Sequence, residues 1–222
     1  MNLRTVSRHP SALLLLVQLL GLVLYPLMED APGGRAAFGA FGITVLGIAL
    51  WVVRRSPWLS WVAGVLALPI FALLVTNVAA PQPALVSLTA LLEATFYLYA
   101  TGSLIAYMLQ DDVASTDELF AVIATFTLLA WAFAHLFVAC QALVPGSFTG
   151  LVNAGEDRTW VELLFLSFST LSGVGMGDII PRMPMARGLV MLEQLAGVMY
   201  IALVVSRLIG MTFMTRRGRP RS

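Results

Sequence analysis

Between Ser169 and Pro181 the chain reads STLSGVGMGDIIP, with glycine at 173, 175 and 177, an acid at Asp178 and a proline at 181. Glycine takes positive and negative φ about equally well, so glycines at alternate positions let successive carbonyls turn toward one side. One strand of such carbonyls is of little use alone. Four strands around an axis would stack their oxygens into rings that can replace the water shell of a cation. Asp178, repeated four times, would add an acidic ring that concentrates cations at the mouth, and it is expected at the same time to hydrogen-bond the backbone of the preceding helix as a structural acid.

Composition decides which solvent surrounds this loop. Of 222 residues, 59% are apolar and 11% charged, and the mean hydropathy is +0.88. Soluble domains carry about 25% charged residues. The reading is an integral membrane protein with the lipid bilayer as its first partner. A net charge of +1 argues against nucleic acid as a partner. Cys140 is the single cysteine, which excludes an intrachain disulfide and a thiolate metal cluster, and its apolar surroundings suit a small buried side chain.

A spanning helix needs roughly 20 apolar residues. Six segments approach that length: Ser11–Met28, Ala36–Val53, Trp58–Ala79, Ala84–Leu109, Leu119–Val144 and Pro184–Met214. The breaks fall at EDAPGGR, RRSP, APQP, QDDVASTDE and the long interval Pro145–Met183. Trp51, Trp58 and Trp61 lie near span ends, as interfacial aromatics do. Six spans put both termini on one side. Arg4, Arg8, Arg54, Arg55, Arg216, Arg217, Arg219 and Arg221 would then be cytoplasmic, against Arg35, Arg158, Arg182 and Arg187 outside. That distribution obeys the positive-inside rule. The first span also has the basic start and apolar core of a signal peptide, but YPLMEDAPGG after it offers no clear small-x-small cleavage site.

Within the last interval, TWVELLFLSFSTLSG is apolar but too short to cross, as a re-entrant segment would be. Thr159 followed by Glu162 completes a capping-box pattern for its start. Non-helical backbone at membrane depth is tolerated only where protein buries it or water lines it. The glycine run behind this short helix therefore needs one or the other.

The stretch FSTLSGVGMGD resembles the pore loop of the tetrameric potassium-channel superfamily, whose filter usually reads Thr-Val-Gly-Tyr-Gly-Asp. On that pattern Val174, Gly175, Gly177 and Asp178 match, Gly173 replaces the threonine, Met176 replaces the tyrosine, and Pro181 is the proline that often follows. The span ARGLVMLEQLAGVMYIALVVSRLIG looks like the inner helix of bacterial two-helix pore modules, with Gly197 where many carry a hinge. The likeness covers about Leu119–Met214, and the four earlier spans are similar only in number to those of six-helix channel subunits. A lone G-x-G-x-G would be weak, but the strand, helix and acid of a dinucleotide fingerprint are missing from its surroundings.

The resemblance implies an all-α membrane protein with six transmembrane helices and a re-entrant pore helix and filter between the fifth and sixth. It divides the chain into a four-helix domain (1–110), an acidic cytoplasmic linker (111–118), a pore domain (119–215) and a basic tail (216–222). It implies a channel subunit, not an enzyme, that conducts potassium in a bacterial inner membrane. Potassium would be held by the carbonyls of Gly173, Val174, Gly175, Met176 and Gly177, with no cofactor and no catalytic residue. One loop per chain means the ring needs three further copies, a C4 homotetramer. The alternatives are a weakly selective monovalent cation channel or a non-conducting channel-like subunit. Gly173 brings a carbonyl but no hydroxyl, Met176 has no phenol to bond the pore helix, and Phe165 and Leu166 stand where relatives place tryptophan. Apolar packing is therefore expected to hold the filter, and sodium exclusion to be looser.

The fourth span lacks arginine and lysine, which argues against conventional voltage gating. Glu93 in that span is either functional or a hydrogen-bonded helix contact. Glu193 in the last span is expected against the pore helix, as a support or a gating element. Asp111, Asp112, Asp117 and Glu118 form a solvated linker or, more sharply, a gating element that pairs with the tail RRGRPR or a divalent cation. His135 reads as a satisfied core residue. An intramembrane hydrolase using Ser167, Ser169 or Ser172 with His135 is disfavoured, since no Gly-x-Ser-x pattern surrounds the serines.

Overall fold

The computed structural model describes residues 10–29, 34–53, 60–79, 82–110 and 116–217. Among them are seven helices: α1 (Pro10–Glu29), α2 (Gly34–Val53), α3 (Ser60–Ala79), α4 (Pro83–Met108), α5 (Thr116–Leu143), α6 (Trp160–Leu171) and α7 (Pro184–Arg217). Two short strands, β1 (Phe148–Gly150) and β2 (Ile179–Pro181), pair antiparallel with Thr149 opposite Ile180. Helices dominate as expected, and this one short ladder is added to them. Three residues per strand are too few for a period of two to register in sequence.

Local chemistry sets the helix ends. Gln82 is extended (φ −128°) and Pro83 opens α4, where a missing N–H costs no helical bond. Asp117 and Glu118 sit in the first turn of α5, where the helix dipole favours acids. Thr116, Asp117 and Glu118 are thus helical, which corrects their assignment to the linker. Asp111 and Asp112 lie outside the described residues. Arg216 and Arg217 likewise belong to α7, not to a separate tail.

By length and composition, three helices among the described residues suffice to cross a membrane: Pro83–Met108, Thr116–Leu143 and Pro184–Arg207. Pro10–Leu24, Trp61–Asn77 and Trp160–Leu171 are apolar but shorter. The central post is α5, which packs along α4 and also touches α1, α6 and α7. Its buried alanines at 121, 124, 130, 132 and 134 let neighbouring backbones come close. Around them Phe96, Tyr97, Trp131 and Phe137 fill the core. Asp117 extends the post to α1: its carboxylate accepts from the Ser11 N–H (3.2 Å) and Oγ (2.9 Å), satisfying an otherwise orphaned donor at that helix start.

Candidate functional site

The glycine loop hangs from α6, and α6 is fixed at its start by reciprocal bonds. Thr159 N–H donates to Glu162 Oε2 (2.7 Å) while Glu162 N–H donates to Thr159 Oγ1 (3.3 Å), the capping box read from the sequence. Just before it, Arg158 is bolted to α5: its N–H donates to Gln141 Oε1 (2.9 Å), and Gln141 Nε2 returns a bond to the Arg158 carbonyl (3.0 Å). The Arg158 guanidinium gathers the carbonyls of Val152, Asn153 and Glu156 and pairs with Glu162 at 3.1 Å. One buried arginine thereby folds the 151–157 loop onto the helix start.

At 12 residues, α6 is about 18 Å long, short of the roughly 30 Å hydrocarbon layer. Its last turn passes directly into the loop. Gly173 N–H donates to the Thr170 carbonyl (3.0 Å) and Gly175 N–H to the Ser169 carbonyl (2.9 Å). Gly173, Gly175 and Gly177 have φ of +77°, +60° and +75°. Asn153 is the only non-glycine with positive φ among the described residues, so Val174 and Met176 alternate with the glycines in sign. A Cβ at any of the three glycines would meet nothing within 4 Å. Conformation, not crowding, demands glycine here.

In the single chain Met176 and Val174 are 66% and 67% exposed, and backbone bonds tie the loop to α6. Asp178 is half-buried, and its Oδ1 accepts from the Ile179 N–H (2.9 Å) instead of from α6, because the turn into β2 points it back along its own strand. Its carbonyl accepts from Leu151 N–H (3.0 Å), which ties the end of the loop to β1. Among the described residues no backbone donor reaches the carbonyls of residues 173–177.

Behind the loop stands α7. Glu193 is fully buried and bonded to Ser167 of α6, whose Oγ also lies 2.8 Å from the Ala130 carbonyl of α5. Three helices meet at that serine, and Glu193 joins α7 to the short helix α6 there. One turn later, a Cβ on Gly197 would stand 2.1 Å from the Leu171 carbonyl oxygen. This glycine has a packing reason beside the hinge expected of it.

The remaining candidates are dispersed. Glu93 and His135 face each other across α4 and α5, with Oε2 3.1 Å from Nδ1. Sequence reasoning treated them apart, because nothing in either helix alone gives their mutual register. Glu118 pairs with Arg207 of α7 at 2.9 Å. Most of the RRGRPR tail lies outside the described residues. Asp117 holds α1, as described. The sequence also carried no sign of Gln141 or Ser167 as fixing residues; Arg158 beside a capping box was the one legible hint.

The profile of a family described as ion channel matches residues 94–214, from within α4 to near the end of α7. Comparison with curated proteins and with solved structures returns no significant match. The matched stretch is more than half of the chain and contains α5, α6, the glycine loop and nearly all of α7, and on that ground the protein belongs to the ion-channel family.

Proposed function

We propose that four copies of this chain form a potassium-conducting channel, each with six spans and both termini cytoplasmic. The carbonyls of Gly173, Val174, Gly175, Met176 and Gly177 would stack into oxygen rings around the common axis, and Asp178 would line the mouth. The observation that carries this reading is the loop backbone: φ alternates in sign, and no backbone donor meets its carbonyls among the described residues. A polar backbone at membrane depth needs protein, water or an ion against it. A cation stripped of its shell supplies that need. The neighbouring subunit covers the exposed Val174 and Met176, and the acidic rim raises the local cation concentration.

A second reading, a weakly selective monovalent cation channel, is favoured by Gly173 and Met176. Neither supplies a hydroxyl, and Met176 is not packed within its own chain. Purified protein in liposomes under opposed potassium and sodium gradients tests both readings. Reversal near the potassium equilibrium potential is expected, moving further toward it in the Gly173→Thr/Met176→Tyr variant. A reversal potential indifferent to potassium would overturn the preference. Absence of any flux would overturn the channel.

A further inference from the structure

Between α3, α4, α5 and the start of α6 lies a cavity of about 330 Å³ in which the glycine loop takes no part. That volume suits a small organic guest; such sites run from about 300 to 1,000 Å³. Three aromatic rings wall it. Tyr97 and Trp131 meet edge to face at 5.8 Å, and Trp131 and Trp160 do so at 5.2 Å. Tyr97 also stacks on His135 at 5.5 Å, fixing the imidazole whose Nδ1 lies 3.1 Å from the Glu93 carboxylate. Glu93 is thereby aimed into an aromatic chamber.

The lining leaves polar atoms unmet. Asn77 Nδ2 donates to Thr89 Oγ1 (2.7 Å), but its Oδ1 is buried without a partner, as is Trp131 Nε1. Burying such atoms unpaired is costly, and a guest that bonds them would recover that cost. The permanent cation in the lining, Arg158, does not serve Asn77 Oδ1, since its guanidinium is engaged by loop carbonyls and Glu162. The chamber therefore combines a carboxylate and a free amide oxygen with π-faces and one indole N–H. Those are the features that recognise an ammonium group carried on an apolar body with one hydrogen-bond acceptor.

We propose that this cavity binds a small organic ammonium group, with Glu93 as counter-charge, Asn77 Oδ1 as second acceptor and the rings of Tyr97, Trp131 and Trp160 as its cation–π wall. The ammonium comes either from a soluble amine or from an ethanolamine lipid headgroup. Because the site touches the start of α6, occupancy braces the helix that carries the loop.

Binding can be read without ion flux, so its outcome is independent of the channel proposal. The full chain in detergent is titrated calorimetrically with 2-amino-1-phenylethanol and with its neutral analogue 1-phenylethane-1,2-diol. In a second arm, native mass spectrometry compares retention of phosphatidylethanolamine and phosphatidylglycerol. Saturable binding of the amine at least tenfold tighter than the diol, weakened at least tenfold in Glu93→Gln, supports a soluble ligand. Preferential retention of the ethanolamine lipid, lost in the same variant, supports the headgroup. The diol comparison on the unaltered protein stands even if Glu93→Gln misfolds. Amine and diol binding alike with no lipid preference, or either preference surviving in Glu93→Gln, would overturn the proposal.

Discussion

At Gly197 two opposite effects of one methyl group can be weighed against each other. Adding a Cβ to a helical glycine ordinarily stabilises by up to about 1 kcal/mol, because glycine gives up the most backbone freedom on folding. Here the added carbon would stand 2.1 Å from the Leu171 carbonyl oxygen and 2.9 Å from its carbon, and backbone atoms cannot swing aside as a side-chain tip can. Overpacking of this kind costs about 1–3 kcal/mol, so the clash wins. Gly197→Ala is expected to lower the melting temperature of the purified protein. Gly188→Ala, on the same helix with nothing within 4 Å of its Cβ, should leave that temperature unchanged or raise it. A Gly197→Ala protein that melts higher than the parent would mean that α7 does not lie against the end of α6 and that the glycine serves flexibility alone.

The elements reveal which information a sequence carries. Long apolar runs announced α4, α5 and α7 within a few residues of their ends, since hydrocarbon length is a one-dimensional property. The start of α6 was legible for a similar reason: Thr159 and Glu162 cap locally, three residues apart. The glycine loop was legible through glycine's freedom at positive φ. Contacts between helices were not. Ser167 with Glu193, Glu93 with His135 and Glu118 with Arg207 each depend on the rotation of two packed helices, which no single periodicity encodes. The last pair also makes a prediction at this scale. Glu118 opens α5, and Arg207 lies toward the end of α7 away from the loop, with the two side chains 6% and 15% exposed. Breaking a buried ion pair costs about 3–5 kcal/mol, and exchanging the two charges re-forms it. Glu118→Arg and Arg207→Glu should each destabilise α7 against α5, and the double exchange should recover most of the loss in a double-mutant cycle of thermal unfolding. Additive losses would remove this pair as the clasp between the two helices.

For the whole molecule, the distribution of covered surface is the remaining constraint. On α7 one stripe faces α5 and α6 through Ala186, Glu193 and Tyr200, while Met191, Leu192, Leu195, Val198 and Met199 are 58–64% exposed. Lipid could cover those apolar side chains at no cost, so they alone do not call for a partner. The loop is different, because lipid offers nothing to the bare carbonyls of residues 173–177. They need water or an ion, and both need a wall that excludes lipid from the far side of the loop. One chain supplies a single segment of that wall. In the proposed assembly, closed cyclic symmetry would supply the rest, with each α7 contributing its exposed stripe to an interface or a water-filled centre. If the proposed ring of four copies forms, native mass spectrometry of the detergent-solubilised protein should give a species at four times 23.9 kDa. Placing arginine at Leu195, 61% exposed in the single chain, should shift that species toward monomer if the stripe meets a neighbour. The same change at Val65 of α3, 57% exposed but remote from the loop, should leave the assembly intact. A species of any other stoichiometry in the unaltered protein would overturn the proposed carbonyl ring.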